Sequence, residues 1–119
     1  MYTYSFEKLE VWREAKDFTK EIYGITTHFP ENEKFGITSQ LRRASVSICS
    51  NIAEGSARKS NKDKAHFTTI SFGSAVEVLN QLILGTELGF ISQENYLTLR
   101  IKLESITNKL NALRNHQTK

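Results

Sequence analysis

The chain has little of what breaks or staples a fold. Its 119 residues include one cysteine, Cys49, so no intrachain disulfide can form, and a lone thiol fits a reducing cytoplasm. One proline, Pro30, and six glycines are low counts that disfavour a turn-rich β fold and favour long unbroken helices. No apolar run approaches the roughly 20 residues that span a bilayer. Met1-Tyr2-Thr3-Tyr4-Ser5-Phe6-Glu7 lacks the basic-then-apolar order of a signal peptide. The expectation is a soluble cytoplasmic protein with no membrane partner. Charge of one sign is also scarce: Lys+Arg 16 against Asp+Glu 13 gives +3, which permits a nucleic-acid partner without indicating one. His28, His66 and His116 lie far apart, and none stands at metal-ligand spacing with Cys49 or a carboxylate. There is no glycine-rich phosphate loop, and Ser47 and Ser50 have no histidine near them in sequence. No catalytic residue, no metal and no cofactor are expected.

What is present is helical periodicity. From about residue 7 to 28, Val11, Ala15, Phe18, Ile22, Ile25 and Phe29 recur at alternating steps of four and three. Pro30 ends that segment, because the residue before a proline disfavours the α region. A second segment runs from about 33 to 57. Ser60 and Asp63 resemble a capping box opening a third, about 61–88, for which Gly89 suits a left-handed C-terminal cap. Tyr96, Leu99, Leu103, Ile106, Leu110 and Leu113 mark a fourth, about 93–115. Connections this short make neighbours antiparallel, so the expected fold is all-α: a single-domain, up-and-down four-helix bundle over residues 1–119.

The second segment divides into three faces where a surface helix needs two. Ile37, Leu41, Ala44, Ile48 and Ile52 form an apolar stripe, and Gln40, Arg43, Ser47, Ser50, Asn51, Glu54 and Arg58 a polar one. Val46, Cys49 and Ala53, led by Arg42, form a third stripe of small side chains. The third segment repeats the excess, with Phe67, Ser71, Ala75, Val78 and Leu82 beside Phe72, Val76, Leu79 and Ile83. Two over-wide helices point to a homo-oligomer, with Val46, Cys49, Ala53, Phe72, Val76 and Ile83 as the expected interface. Gly73 in mid-helix predicts a tight helix–helix approach facing the second segment, since glycine there costs about 1 kcal/mol against alanine.

Four motifs stand in order: Phe29-Pro30-x-x-Glu33-x-Phe35-Gly36-Ile37, Gln40-Leu41-Arg42-Arg43-Ala44, Ser47-Ile48-x-Ser50-Asn51-Ile52-Ala53-Glu54-Gly55 and Gly73-Ser74-x-x-Glu77. With them the chain resembles the four-helix-bundle proteins encoded in intervening sequences of bacterial large-subunit (23S) ribosomal RNA genes. The run Ser50, Asn51, Ile52, Ala53, Glu54, Gly55 is the most specific part. The resemblance implies a bundle that assembles as a ring, a homopentamer. More distantly, the chain is similar to the accessory protein of diversity-generating retroelements, a pentameric bundle that binds nucleic acid and a reverse transcriptase. Family members often carry proline or another small residue where this chain has Cys49, which implies an unkinked second helix here.

The candidate nucleic-acid contacts are Arg42, Arg43, Arg58, Lys59, Lys62 and Lys64. Against only Glu54 and Asp63 nearby, their excess is larger than the net charge of the whole chain. Lys and Arg neutralising phosphates are the general electrostatic route to RNA or DNA. No aromatic residue interleaves with the cluster, so binding would be led by the backbone rather than by base stacking. A solvated turn is the alternative, and a scaffold whose ring docks another protein is the rival function. Arg43 and Glu54, with Ser47 and Asn51 between them, line one face that is either a binding groove or a hydrogen-bonded seam. Trp12, Phe6, Phe18, Tyr23 and Phe35 are expected as core or interface anchors.

Overall fold

The computed structural model describes residues 1–119 and contains four α-helices and no strand: α1 Glu10–Thr26, α2 Ile37–Ser56, α3 Asn61–Glu87 and α4 Gln93–Gln117. Each packs antiparallel to the next, and α1 closes against α4, so the four helices form a closed bundle whose diagonal pairs meet only through core side chains. The α2–α3 seam is the closest and the α1–α4 seam the loosest. The bundle measures 43 × 30 × 21 Å.

Two helix starts come later than the periodicity predicts. Residues Ser5–Lys8 form a separate 3-10 turn, and Leu9, extended at φ −76° and ψ 125°, is the N-cap that starts α1 at Glu10. The second segment begins at Ile37 rather than at 33, because Glu31–Glu33 is another 3-10 turn and Gly36 is the N-cap. Gly36 sits at φ −104° and ψ −120°, and a Cβ there would meet Glu33 Oε1 at 2.6 Å. The other ends follow the sequence closely. Ser60 Oγ accepts from the Asp63 backbone N–H at 3.1 Å, although Asp63 does not return the bond that would complete a capping box. Ser92 caps α4 in the same way through Asn95 N–H. Gly89, at φ +81°, ends α3 in a Schellman motif, with Phe90 N–H on Gly85 C=O and Gly89 N–H on Thr86 C=O.

The predicted stripes form the core. Val11, Ala15, Phe18 and Ile22 of α1 meet Leu41, Ala44, Ile48 and Ile52 of α2, Ala75, Val78 and Leu82 of α3, and Leu99, Leu103, Ile106 and Leu110 of α4. The third stripe of α2 has an intrachain partner that the sequence did not reveal. Thr19 Oγ1 donates to Ser45 C=O at 3.2 Å and lies 3.5 Å from Cys49 Sγ, so Cys49 packs into the α1–α2 seam. Phe72 likewise packs against the chain's own core, whereas Val46, Val76 and Ile83 stay exposed. Burial pushes the Cys49 thiol pKa up, and the hydrogen bond with Thr19 offsets only part of that shift.

The tight approach expected at Gly73 is found elsewhere. Gly73 is exposed, and a Cβ there would meet nothing within 4 Å. The close contact is at Gly55, where a Cβ would stand 2.9 Å from Phe67 Cβ on α3. α3 also departs from the hydropathy expectation: by length and composition it is long and apolar enough to cross a membrane, yet only 39% of its most apolar 18-residue window is buried inside the bundle.

Candidate nucleic-acid interface

Antiparallel packing gives the bundle two poles. One gathers the α2–α3 turn, the N-terminal 3-10 turn and the C-terminus of α4, and the other gathers the α1–α2 and α3–α4 connections. Arg58, Lys59, Lys62 and Lys64 stand together at the first pole. The far pole is closed by Phe29, whose ring lies 5.7 Å from that of Phe90 and tilted 48° to it, and carries Glu31, Glu33, Glu87 and Glu94 against Lys34.

At the basic pole the four cations differ. Arg58 donates to Glu54 Oε1 at 2.9 Å, and its guanidinium lies 4.6 Å over the Phe67 ring, which fixes its orientation at an exposed site. A surface ion pair of this kind adds little stability. Lys59 and Lys62 are exposed and take part in no ion pair, so their full charge faces solvent. Lys64 is half-buried and lines a recess of about 230 Å³ together with Ser56, Asn61, His116 and Gln117.

α4 supplies cations that the sequence alone did not connect to this cluster. Arg114 Nε donates to Thr69 Oγ1 at 2.7 Å, and Thr68 Oγ1 donates to Gln117 Oε1 at 2.8 Å, which ties the end of α4 to the start of α3. Arg114, His116 and Lys119 therefore share the pole with Lys59 and Lys62. The signal was available only through topology: an up-and-down bundle returns its fourth helix to the start of its third.

Arg42 and Arg43 stand apart from that pole by about 20 Å of helix axis. Adjacent helical residues point about 100° apart, so the two also face different neighbours. Arg42 turns toward α1, where its Nε donates to Thr26 Oγ1 at 2.8 Å and its guanidinium stacks 4.7 Å over Tyr23. This makes it a strut of the α1–α2 seam, held by a hydroxyl and an aromatic face. Arg43 is exposed on the α2–α3 side, in a groove of about 530 Å³ lined by Phe35, Gln40, Ser47 and Glu77. The polar stripe along that side is largely a hydrogen-bonded seam. Ser47 Oγ lies 2.9 Å from Ser74 Oγ, Asn51 Nδ2 donates to Ser47 C=O at 2.8 Å, and Ser71 Oγ donates to Ile48 C=O at 2.9 Å.

The aromatic residues divide in the same way. Phe18 is core, and Trp12 packs edge-on to Phe6 at 4.9 Å beneath the N-terminal turn. Tyr23 is the platform for Arg42, and Phe35 is 90% exposed. The loose α1–α4 seam is bridged by charge, with Lys109 Nζ at 2.8 Å from Glu14 Oε2, Ser105 Oγ donating to Glu14 Oε1 at 2.7 Å, and Lys102 paired with Glu21. Burial pushes the Glu14 carboxyl pKa up, but the Lys109 and Ser105 hydrogen bonds and the Lys109 charge outweigh it and hold the value below the usual range.

A protein-family model described as 23S rRNA-intervening sequence protein matches residues 7–112. Among solved structures, the chain is similar to a Bacteroides thetaiotaomicron protein of the S23 ribosomal protein family, itself of unknown function. The TM-score is 0.79 at 23% identity, over 87% of this chain and 97% of that one. At that identity the likeness shows a shared fold. No curated protein matches the chain. Neither match bears on the retroelement accessory protein.

Proposed function

The chain belongs to the 23S rRNA-intervening sequence protein family, and from that premise we propose that it is a non-enzymatic, ring-forming bundle whose basic pole binds the phosphate backbone of RNA or DNA. The observation that carries this reading is the convergence of Lys59 and Lys62, free of any ion pair, with Arg58, Lys64, Arg114 and Lys119 on one end of the molecule. Arg42 and Arg43 leave the contact set: one braces α1, and the other lies too far along α2. The ring is a homopentamer in this reading, its copies presenting their basic poles on one side. Repetition about an axis turns weak single contacts into avidity without adding a new contact. Nothing at the pole reads base edges, so binding is led by phosphate and is weakly sequence-specific.

The second reading, a scaffold that docks another protein, draws on Leu97 and Ile101, which are exposed on the outer face of α4. Mobility shifts of labelled structured RNA and duplex DNA separate the two. Binding that weakens steeply with salt, and is lost in Lys59→Glu/Lys62→Glu, supports the basic pole. No binding by the intact wild-type protein at low salt overturns it and leaves the scaffold.

A further inference from the structure

The recess at the basic pole differs from four other recesses of the molecule in holding no carboxylate. The groove between α1 and α4 is lined by Glu14, Asp17 and Glu21, and the one beside Arg43 by Glu77. The recess under Pro30 has Glu31, and the one beside Leu84 has Glu87. At the pole the free polar groups are donors instead. Lys64 is half-buried and forms no ion pair. Thr68, itself buried, donates from Oγ1 to Gln117 Oε1 at 2.8 Å, which occupies the amide oxygen and leaves Gln117 Nε2 without a partner in the chain. Asn61 and His116 add N–H groups to the same lining, whereas Ser56 Oγ is already spent on Ala53 C=O at 2.7 Å.

The shape of the recess decides what can reach those donors. Its walls are the end of α2, the start of α3, the N-terminal 3-10 turn and the last turns of α4, around a volume of about 230 Å³. Ile52 belongs to the core, and Leu9 and Leu113 pack against it, so the recess is blind. A strand that continues in both directions passes over a blind recess, and only the end of a strand enters it. Charge then selects the end group. A terminal phosphomonoester carries about −1.5 to −2 at neutral pH and three acceptor oxygens, against a single charge for a phosphodiester within the strand. Charged hydrogen bonds are also stronger beside apolar walls than in open water. A peptide C-terminus brings one charge only and no row of phosphates to follow it. Lys59, Lys62, Arg58 and Arg114 on the same pole suit such a row.

We propose that this recess holds the terminal phosphate of a nucleic-acid strand, with Lys64 and Gln117 Nε2 as its principal donors. The proposal rests on the basic-pole reading above and adds to it a preference for strand ends. Lys64 supplies the charge, and the Thr68 hydroxyl holds the Gln117 amide so that its nitrogen stays available. The exposed cations of the pole take the phosphates behind the end, without reading bases.

The test is fluorescence anisotropy of the full-length chain with one internally labelled RNA sequence in four forms: 5′-phosphorylated, 3′-phosphorylated, hydroxyl at both ends, and circular. One of the two phosphorylated forms should bind about tenfold more tightly than the hydroxyl-ended and circular forms, the gain from one charge-assisted hydrogen bond. Inorganic phosphate should abolish that difference at concentrations that leave the circle bound. Gln117→Glu keeps an acceptor for Thr68 but puts a carboxylate in the recess, and it should bring the ratio of linear to circular affinity to about one, as should Lys64→Gln. Far-UV circular dichroism checks that both variants fold. Lys59→Glu/Lys62→Glu should weaken all four forms while the ratio survives. Equal binding of all four forms by wild type overturns the recess and leaves the basic pole standing. Binding of none overturns both. A preference for phosphorylated ends that persists in folded Gln117→Glu and Lys64→Gln overturns the assignment to this recess, and inorganic phosphate bound with no preference among strands makes free phosphate, not a strand end, the occupant.

Discussion

Replacing Gly55 by alanine should destabilise the bundle, although alanine is the better helix former. The added Cβ would stand 2.9 Å from Phe67 Cβ, 3.5 Å from Lys64 C=O and 3.8 Å from Phe67 Cγ. Phe67 Cβ is anchored to the α3 backbone, so relief requires α2 and α3 to move apart along their closest seam. Overpacking of this kind costs about 1–3 kcal/mol, against a propensity gain that, one residue from the end of α2, is about 0.5 kcal/mol. The net expectation is a loss of about 0.5–2.5 kcal/mol, or a fall in Tm of about 2–12 °C for a domain of this size. Gly24 is the control. It lies in α1 with nothing within 4 Å of a Cβ, so Gly24→Ala keeps the propensity gain, reduced near the helix end to about 0.5 kcal/mol. Thermal and urea unfolding followed by circular dichroism at fixed chain concentration measure both, since assembly makes Tm concentration-dependent. A Gly55→Ala variant as stable as Gly24→Ala would refute the close α2–α3 approach.

Three further outcomes follow from the seams. Arg42→Ala should cost about 1–2 kcal/mol through the lost Thr26 hydrogen bond and Tyr23 stacking, while leaving RNA affinity within about twofold; a large affinity loss without destabilisation would return Arg42 to the contact set. Glu14 has a lowered carboxyl pKa, so its stabilisation is present above the unfolded value of about 4.3 and is lost as pH falls through the folded value. Glu14→Gln should therefore be less stable than wild type at neutral pH and converge with it in acid. A stability gap that persists unchanged at the acid end would contradict this. Burial and the raised pKa make Cys49 slow to react, so a thiol reagent at neutral pH should label it only after unfolding, and rapid labelling of folded protein would show that the α1–α2 seam opens.

Much of the fold was legible in the residues because apolar spacing and capping chemistry act locally. Val11 through Ile22 and Leu99 through Leu110 point inward as their spacing requires, and Gly89 adopts the positive φ expected of it. The later starts at Glu10 and Ile37 were hidden because Leu9 and Gly36 break helices that the apolar pattern carries through. The third stripe of α2 reads from sequence as a free surface, and part of it is α1's seam: which helix covers a stripe is a tertiary fact, and Thr19 lies thirty residues away from Cys49. The basic cluster was half legible. Arg58 through Lys64 are contiguous, but Arg42 and Arg43 join them only on paper, and Arg114 and Lys119 become visible only once α4 has returned to the pole.

The salt dependence of RNA binding tests the basic pole most directly. For wild type, log Kd should change linearly with log salt concentration, each phosphate contact contributing about 0.7–0.9 to the slope. Lys59→Glu/Lys62→Glu should lower that slope by about two contacts and weaken binding alike for unrelated sequences. A wild-type slope near zero, or one that the double substitution leaves unchanged, would place the function elsewhere on the molecule.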